Sequence, residues 1–360
     1  MLGAGRPEVV VIGAGVIGLA TARAVAQAGR DILVLEQDVV GTPRGSSHGS
    51  SRIFRLAYEQ EERVRLAQEA QPLWRDLERE TGMELLAARG SLDLGGDLEH
   101  QTSVLAACGV GFEVLEAEEV RERFELEVGA VPALHQPEGG VVWAERALAA
   151  LSSSARDHGA GVAEGMKALS LEVTGDGVQI ETSKSVLDAR VCIVTAGSWA
   201  APLLAPAGVH LPVTVTRETV VYFEHPGPRP APAVIDWRSP DAAAWQLRRE
   251  GLAPYALDAD GCALKAGLHN AGPVVDPDQP GDPDAAVADC VAEWVSRMFP
   301  RADRTPLRAE TCLYTSTADD RFVLERHGPL VVGSACSGQG FKFAPALGAR
   351  LAGLAGEVLA

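Results

Sequence analysis

The stretch VVVIGAGVIG, residues 9–18, constrains the fold more than any other part of the 360-residue chain. Its glycines, Gly13, Gly15 and Gly18, have G-x-G-x-x-G spacing, with an apolar run before them and a helical pattern after them. A second apolar run, DILVLE, follows that helix and ends in Glu36. This order of strand, glycine turn, helix and strand predicts a Rossmann-like α/β fold.

The same residues predict a nucleotide site. Glycine allows a tight turn and lets a pyrophosphate approach the backbone, while the helix start offers free N–H groups and a positive dipole end. An acid at the second strand accepts hydrogen bonds from a ribose. The alternative is a glycine turn that only packs tightly, but the strand, helix and acid together favour a nucleotide. We expect the dinucleotide to bind Gly13, Gly15, Val16, Ile17, Gly18 and Glu36.

Two later segments favour FAD over a nicotinamide cofactor. The buried-strand pattern CIVTAG leads into Gly197 and Trp199 and looks like a second nucleotide-side element of a flavoprotein. The chain then closes with a strand, PLVVGSA, a glycine loop and a helix. A nicotinamide enzyme does not need this third glycine-rich helix start, so we expect FAD.

Composition narrows the class of protein further. The formal net charge of −17 predicts a surface that repels nucleic acid and anionic membranes. No apolar run is long enough to span a bilayer, and the N-terminus lacks a signal-peptide pattern, so we expect a cytoplasmic protein. The six cysteines are scattered without CxxC spacing, which argues against a metal site and against disulfides.

Basic residues stand in apolar surroundings at two places. The stretch SSHGSSRIFRLAY holds His48, Arg52 and Arg55, and the two arginines share a face if the stretch is helical. Lys342 lies between Phe341 and Phe343 in SGQGFKFAP. A buried arginine needs an anionic partner, and we expect FAD and a substrate carboxylate to be the available ones. The alternative is a solvated basic turn.

Two further motifs have more than one reading. In GCALKAGLH, Lys265 and His269 lie on the same side of a strand, and His269 alone could equally be a core histidine. In TCLYTSTAD, the local pattern taken by itself predicts that Cys312 is a small buried residue of a strand. Neither motif identifies a function by itself, so both are interpreted together with the other motifs of the chain.

In this order the motifs resemble the monomeric sarcosine oxidase and N-methyl amino acid oxidase family, within the D-amino acid oxidase fold superfamily. The stretches CLYT and SGQGFKF are the most diagnostic, and the matches cover nearly the whole chain. The resemblance implies that Cys312 forms a thioether to FAD and that Arg52 lies beside the flavin ring. It also implies contacts between FAD and Ser46, His48, Ser51, Gly338, Gly340, Phe341 and Lys342.

The resemblance assigns the substrate side as well. Arg55 and Lys342 match the pair that binds a substrate carboxylate, and Lys265 matches the lysine that promotes reaction of reduced flavin with O2. Gln339 replaces the histidine usual in the family, which leaves the substrate preference open. The residues implied to line the substrate cavity are His269, Tyr255 and Tyr314.

The implied fold is α/β (α+β), with a discontinuous substrate domain on a mixed antiparallel sheet. We expect the FAD-binding domain to use residues 1–85, 144–207 and 305–360, and the substrate domain residues 86–143 and 208–304. The implied protein is a monomeric oxidase of secondary amino acids that releases hydrogen peroxide. Alternatives are an oxidase of pipecolate-like, proline-like or fructosyl amino acids, a dehydrogenase with another electron acceptor, and a non-catalytic flavin-binding subunit.

Overall fold

The computed structural model describes residues 6–226, 230–238, 252–261, 263–334 and 337–360. Part of the proline-rich connection PGPRPAPA, and Cys262 and Cys336, lie outside these residues. The strands are β1 (Val9–Ile12), β2 (Ile32–Leu35), β3 (Ser51–Phe54), β4 (Leu86–Ala88), β5 (Ser91–Leu94), β6 (Glu113–Leu115), β7 (Ala133–Gln136), β8 (Gly140–Trp143), β9 (Gly161–Ala163), β10 (Ala168–Thr174), β11 (Gly177–Thr182), β12 (Val186–Ala189), β13 (Val191–Val194), β14 (Thr214–Glu224), β15 (Ala233–Asp236), β16 (Ala253–Ala259), β17 (Ala263–His269), β18 (Pro306–Ser316), β19 (Val323–His327) and β20 (Leu330–Ser334). The helices are α1 (Val16–Gln27), α2 (Glu61–Thr81), α3 (Leu98–Ala107), α4 (Ala117–Phe124), α5 (Ala144–Asp157), α6 (Ala200–Leu204), α7 (Ala285–Met298) and α8 (Ala344–Leu359).

A six-stranded sheet in the order β19-β20-β13-β1-β2-β9 forms the Rossmann-like part. Its strands are parallel except β19, which pairs antiparallel with β20. The strands β1, β2 and β13 are apolar and buried at every position, as strands covered on both faces are. The carboxyl ends of these three strands meet at one edge, where Gly13, Glu36 and Thr195 follow them.

A second sheet has eight strands in the order β18-β14-β17-β16-β15-β5-β7-β6. Its pairs are antiparallel except β15 with β5, which is parallel, so the sheet is mixed as predicted. The predicted fold class is therefore confirmed. The strand β18 belongs to this sheet, although the sequence placed residues 305–360 in the other domain.

Two small sheets complete the strand pairing. The predicted hairpin around GDG is β10 with β11, and β12 extends it. The third sheet, in the order β3-β8-β4, holds the stretch with Arg52. Because β3 is a strand, the helical condition under which Arg52 and Arg55 would share a face is not met.

Helices pack on the parallel sheet and carry part of the cavity wall. The predicted amphipathic helix is α2, which ends at Gly82 in the left-handed conformation. The fully buried Trp74 of α2 donates a hydrogen bond of 2.8 Å from Nε1 to the carbonyl of Lys342. Its ring also stacks on Phe341, with 6.3 Å between the ring centroids. Trp74 thus anchors the turn that holds Lys342.

The described residues hold neither a membrane-spanning helix nor a metal-binding cluster. No helix there is long and apolar enough to cross a membrane. No group of histidine, cysteine and acidic side chains there could hold a metal ion. The four cysteines among these residues, Cys108, Cys192, Cys290 and Cys312, are free thiols.

The contact between α1 and α8 gives the first testable prediction. A Cβ atom added at the buried Gly348 of α8 would lie 2.5 Å from the carbonyl carbon of Ala20 in α1. The variant Gly348→Ala must push the two helices apart, so we expect a loss of about 1–3 kcal/mol in the free energy of unfolding. Thermal unfolding followed by circular dichroism measures the effect.

The same helix offers a matched control. Gly353 is exposed, and a Cβ there meets no atom within 4 Å. Gly353→Ala should gain roughly 0.5–1 kcal/mol, because alanine stabilises a helix interior. Equal stability of the two variants would contradict the proposed packing of α1 on α8.

Candidate active site

The glycine turn after β1 is built for close approach. Gly13 has a φ of +99°, and a Cβ there would lie 2.7 Å from the Thr195 carbonyl oxygen. A Cβ at Gly18 would lie 1.9 Å from the Gly13 carbonyl oxygen, so only glycine fits either position. Gly15, the residue before α1, has no side chain that could cap the helix. The Val16 N–H donates a hydrogen bond of 3.1 Å to Ser47 Oγ instead. The start of α1 faces the cavity as a phosphate site requires.

Glu36 lies beside this turn, buried at the end of β2. Its Oε2 accepts the Ala14 N–H at 2.8 Å, and its Oε1 accepts the Asp38 N–H at 3.0 Å. Each carboxylate oxygen can accept a second hydrogen bond. The side chain is therefore fixed by the backbone and retains acceptors for ribose hydroxyls.

One cavity of about 550 Å³ brings the predicted site residues together. It runs from the glycine turn to the eight-stranded sheet. The predicted residues that line it are Gly13, Gly15, Val16, Ile17, Glu36, Ser46, Ser51, Arg52, Arg55, Gly197, Trp199, Tyr255, Lys265, His269, Cys312, Tyr314, Gly338, Gln339, Gly340, Phe341 and Lys342. Gly18 and His48 are not among the lining residues.

Arg52 and Lys265 converge on one backbone carbonyl. Arg52 Nη1 donates to the Ser51 carbonyl at 2.8 Å, and Lys265 Nζ donates to the same oxygen at 2.9 Å. Arg52 Nη2 also donates to the carbonyls of Ser46 and His48, at 2.9 and 2.6 Å. Burial, and then the charge of Arg52, lower the pKa of Lys265 well below its usual value. Among the described residues, the hydrogen bonds of these two adjacent cations go to carbonyl oxygens, which favours an anion in the cavity.

Cys312 lies on β18, buried and close to this pair of cations. Its Sγ is 3.7 Å from the Ser46 carbonyl oxygen, which accepts a weak hydrogen bond from the thiol. In the β14–β18 register Cys312 stands opposite Glu218. The sulfur lines the cavity, so a group bound there can reach it.

Arg55 has a protein partner that the sequence analysis did not identify. Its Nη1 donates to Asp93 Oδ1 at 2.7 Å and also to the Ala57 carbonyl. The expectation that only FAD or substrate supplies an anion for Arg55 is therefore wrong. Burial raises the pKa of Asp93, and the charge of Arg55 opposes that rise.

Lys342 is the second cation at this end of the cavity. Its Nζ donates to the Gln339 carbonyl at 3.0 Å and lies 5.1 Å from the centroid of the Phe343 ring. Burial lowers the pKa of Lys342 well below its usual value, and the charges of Arg55 and Arg63 lower it further. A carboxylate between Lys342 and Arg55 would relieve both charges.

Aromatic side chains form the wall between the two pairs of cations. The rings of His269 and Tyr314 lie 5.5 Å apart. A Cβ at Gly338 would lie 2.5 Å from a Tyr314 ring carbon, and one at Gly267 would lie 2.6 Å from the Tyr255 hydroxyl oxygen. Burial raises the pKa of Tyr255. Both glycines make room for rings that face the cavity.

His48, outside the cavity wall, supports the loop after β2. Its Nε2 donates to the Thr311 carbonyl at 3.1 Å, while its buried Nδ1 has no hydrogen-bond partner among the described residues. Burial, and then Arg52, lower its pKa. His48 therefore ties this loop to β18, next to Cys312.

Sequence reasoning missed several lining residues. Ser47 of the cavity wall sits in the stretch SSHGSS between residues that were selected. Sequence reasoning also missed Asp93, which lies behind the wall and does not line the cavity, although a lone acid in the apolar strand SLDL was an available signal. The other unpredicted lining residues have no motif, among them Ile53, Met166, Leu169, Ile235, Trp237, Asp278 and Thr315. Their placement depends on how the two large sheets face each other.

The neutral state of His269 gives a testable pH dependence. Burial, and then the charge of Lys342, lower its pKa to about 4. An unfolded histidine has a pKa near 6.5, so only the unfolded state takes up this proton as the pH falls from about 6.5 to 4. The neutral His269 imidazole therefore contributes fully to the free energy of unfolding above about pH 6.5. About 2 kcal/mol of that free energy is lost by pH 5.

Replacing the imidazole should remove this acid sensitivity. The melting temperature of His269→Gln should fall between pH 7 and pH 5 by about 2–3 °C less than that of the wild type. The exposed His210 supplies the control, and His210→Gln should follow the wild type. Identical shifts for all three proteins would show that His269 does not titrate as proposed.

Comparison with known proteins agrees with this geometry. The family model described as FAD dependent oxidoreductase matches residues 8–354. Human peroxisomal sarcosine oxidase is 32% identical over 366 residues, covering 95% of this chain and 90% of the relative. Monomeric sarcosine oxidase of Bacillus sp. (strain NS-129) is 30% identical, covering 97% of this chain and 92% of the relative.

The fold comparison leads to the same family. The structure of NikD, an amino acid oxidase of nikkomycin biosynthesis, superposes with a TM-score of 0.87 at 28% identity, covering 97% of this chain and 93% of that one. The glycine turn, Glu36 and the long cavity fit the elongated cofactor that such proteins use. Because the family match spans nearly the whole chain, the protein belongs to the FAD dependent oxidoreductases.

Proposed function

We propose that the protein is an FAD-dependent oxidase of secondary amino acids, either N-methylated or cyclic. The observation that carries the proposal is one cavity with a nucleotide cradle at one end and the cations Arg55 and Lys342 at the other. Relatives of about 30% identity are named sarcosine oxidase and N-methyl-L-tryptophan oxidase, which supports an N-substituted amino acid as substrate.

The substrate carboxylate binds Arg55 and Lys342. A guanidinium and a buried ammonium together hold a carboxylate in one orientation, and that orientation fixes the carbon next to the amine. FAD held by the glycine turn, Glu36 and Arg52 would supply the two-electron chemistry, in which a hydride leaves that carbon and O2 is reduced to H2O2. The imine left behind hydrolyses in water to a carbonyl compound and an amine.

The cavity wall sets the charge state of the substrate amine. The neighbouring cations and the partly dry surroundings lower the pKa of an ammonium group and favour the neutral amine that oxidation requires. His269 is neutral at pH 7, and Tyr255 and Tyr314 place rings rather than charges at the wall. We assign these three residues to substrate positioning and Gln339 to substrate selection.

Arg52 and Lys265 serve the redox half of the reaction. Both line the cavity on the side of Cys312 and favour negative charge there. We assign reaction with O2 to Lys265, because its ammonium lies beside Arg52 on the Ser51 carbonyl and a cation there stabilises the negative charge that O2 gains when it is reduced.

We also propose that Cys312 attaches the flavin through a thioether. Cys312 lines the cavity, and its Sγ contacts the Ser46 carbonyl oxygen, which also accepts a hydrogen bond from Arg52; the alternative is an inert thiol. The remaining expectations are a monomer, a cytoplasmic location, and the two-domain division with its boundaries. The name of the Bacillus relative, a monomeric enzyme, supports the first of these.

The proposed reaction is tested by anaerobic mixing followed by exposure to O2. N-methylglycine, L-proline, L-pipecolate and a fructosyl amino acid are added in turn, and loss of flavin absorbance identifies the substrate. The variant Lys265→Met should be reduced at the wild-type rate and reoxidised about 100-fold more slowly, because one electrostatic stabiliser is removed. Stopped-flow absorbance measures both steps, and peroxide is assayed after each.

The exposed Lys184 supplies the control, and Lys184→Met should match the wild type in both steps. Absence of bleaching by every amine would refute an oxidase and favour a flavin-binding subunit. Normal reoxidation of Lys265→Met would remove the role given to Lys265. Turnover with a dye but not with O2 would favour the dehydrogenase.

The thioether is tested by acid precipitation. After trichloroacetic acid treatment the wild-type pellet should be yellow and its polypeptide mass should be higher by one FAD less the two hydrogens lost when the C–S bond forms and O2 takes up the two electrons, whereas Cys312→Ala should release its flavin into the supernatant. Cys108, which is also buried but not in the cavity wall, supplies the control variant Cys108→Ala. Flavin in the wild-type supernatant would mean that FAD is held without a bond.

A further inference from the structure

A buried acid stands directly behind the proposed carboxylate site. Asp93 lies on β5 with an exposed fraction of 1%. Its Oδ1 accepts hydrogen bonds from Arg55 Nη1 at 2.7 Å and from Trp237 Nε1 at 2.8 Å. Its Oδ2 is buried without a hydrogen-bond partner among the described residues. A half-satisfied buried carboxylate is costly, so its position calls for an explanation.

Asp93 makes its hydrogen bonds to the cavity wall through two partners. Arg55 and Trp237 line the cavity, and Asp93 does not. The Arg55 guanidinium carbon lies 4.3 Å from the centroid of the Tyr58 ring and 5.3 Å from that of Trp237. One carboxylate oxygen thus fixes both the cation and the aromatic ring that flanks it.

The charge of Asp93 also opposes that of Arg55. A substrate carboxylate on the cavity side of the guanidinium would lie across it from Asp93, and the two negative charges would repel each other through a poorly solvated region. Lys342 supplies the second positive charge at this end of the cavity, and its hydrogen bond goes to a backbone carbonyl rather than to Asp93. Arg55 therefore offers directed hydrogen bonds with a reduced net attraction for anions.

We propose that Asp93 is a positioning residue that sets how strongly the cavity prefers a carboxylate over an uncharged ligand of the same shape. It holds Arg55 and Trp237 in place and offsets the charge of Arg55. This inference rests on the proposed function, in which a substrate carboxylate binds Arg55. It makes the contact between Asp93 and Arg55 a determinant of specificity rather than only of stability.

The adjacent strand provides a matched control for this arrangement. Asp236 of β15 accepts hydrogen bonds from Arg238 Nη2 at 2.7 Å and from Trp294 Nε1 at 3.0 Å. It is therefore also a buried acid with an arginine and a tryptophan as partners, but it does not line the cavity, and neither do its partners. Asp236→Asn removes the same charge from the same sheet at a place where no ligand is expected.

The test compares two probes that cannot be oxidised as amino acids. The flavin absorbance of the holoenzyme is titrated with 2-furoate and with furan-2-carboxamide, which share a shape and differ in charge. Asp93→Asn retains an oxygen for Arg55 and Trp237 and loses the negative charge. We expect its preference for furoate, the ratio of the two dissociation constants, to rise about tenfold or more over the wild type.

The controls separate the possible failures. Asp236→Asn should keep the wild-type ratio, and melting temperatures and bound flavin show whether each variant is folded. A ratio for Asp93→Asn within twofold of the wild type, or below it, overturns the inference while leaving the carboxylate site intact. If furoate does not perturb the wild-type flavin, the carboxylate site itself is refuted, and this inference with it. Asp93→Leu, which removes the charge and both hydrogen bonds, should weaken binding of both probes because Arg55 and Trp237 lose their anchor.

Discussion

The desolvation of four cations around one cavity is the constraint on which the site depends. Arg52, Arg55, Lys265 and Lys342 all line the cavity of a protein whose net charge is −17. Among the described residues, the hydrogen bonds of three of these cations go to backbone carbonyls, and only Arg55 has a carboxylate at hydrogen-bond distance, that of Asp93. A buried cation is stabilised less by carbonyl dipoles than by a neighbouring anion. The cavity therefore favours negatively charged ligands.

The fold supplies these cations from segments that are far apart in sequence. The strand β3 and the residue after it provide Arg52 and Arg55, β17 provides Lys265, and the turn before α8 provides Lys342. Each segment is fixed by an element behind it. The turn before α8, for example, is held by the hydrogen bond and ring stacking of Trp74. The rigid scaffold therefore determines the spacing of charges that no local sequence preference determines.

The parts of this structure that were predictable are those with local causes. The glycine turn, Glu36, the end of α2 at Gly82 and the hairpin at GDG each follow from residues that need a particular backbone conformation or spacing. The partner of Arg55 was not predictable in this way, because Asp93 reaches it through the pairing of β5 inside the eight-stranded sheet. The pattern of one acid between two leucines indicated a buried charge but not its partner.

The membership of β18 in the eight-stranded sheet has the same kind of cause. An isolated strand pattern does not state which sheet it joins, and β18 pairs with β14 over nearly its whole length. Cys312 and Tyr314 therefore reach the cavity from the large sheet, while the glycine turns reach it from the parallel sheet. The two halves of the site are joined only by tertiary structure.

The pairing of Asp93 with Arg55 also bears on turnover. In the proposed site the substrate and its imine product carry the same carboxylate, so attraction to Arg55 and Lys342 would stabilise both alike. Uniform stabilisation of this kind lowers KM and does not speed the chemical step, and a tightly held product slows release. An acid behind Arg55 keeps the orienting hydrogen bonds and reduces the uniform attraction. The buried ion pair is thus consistent with a site that positions its ligand more than it retains it.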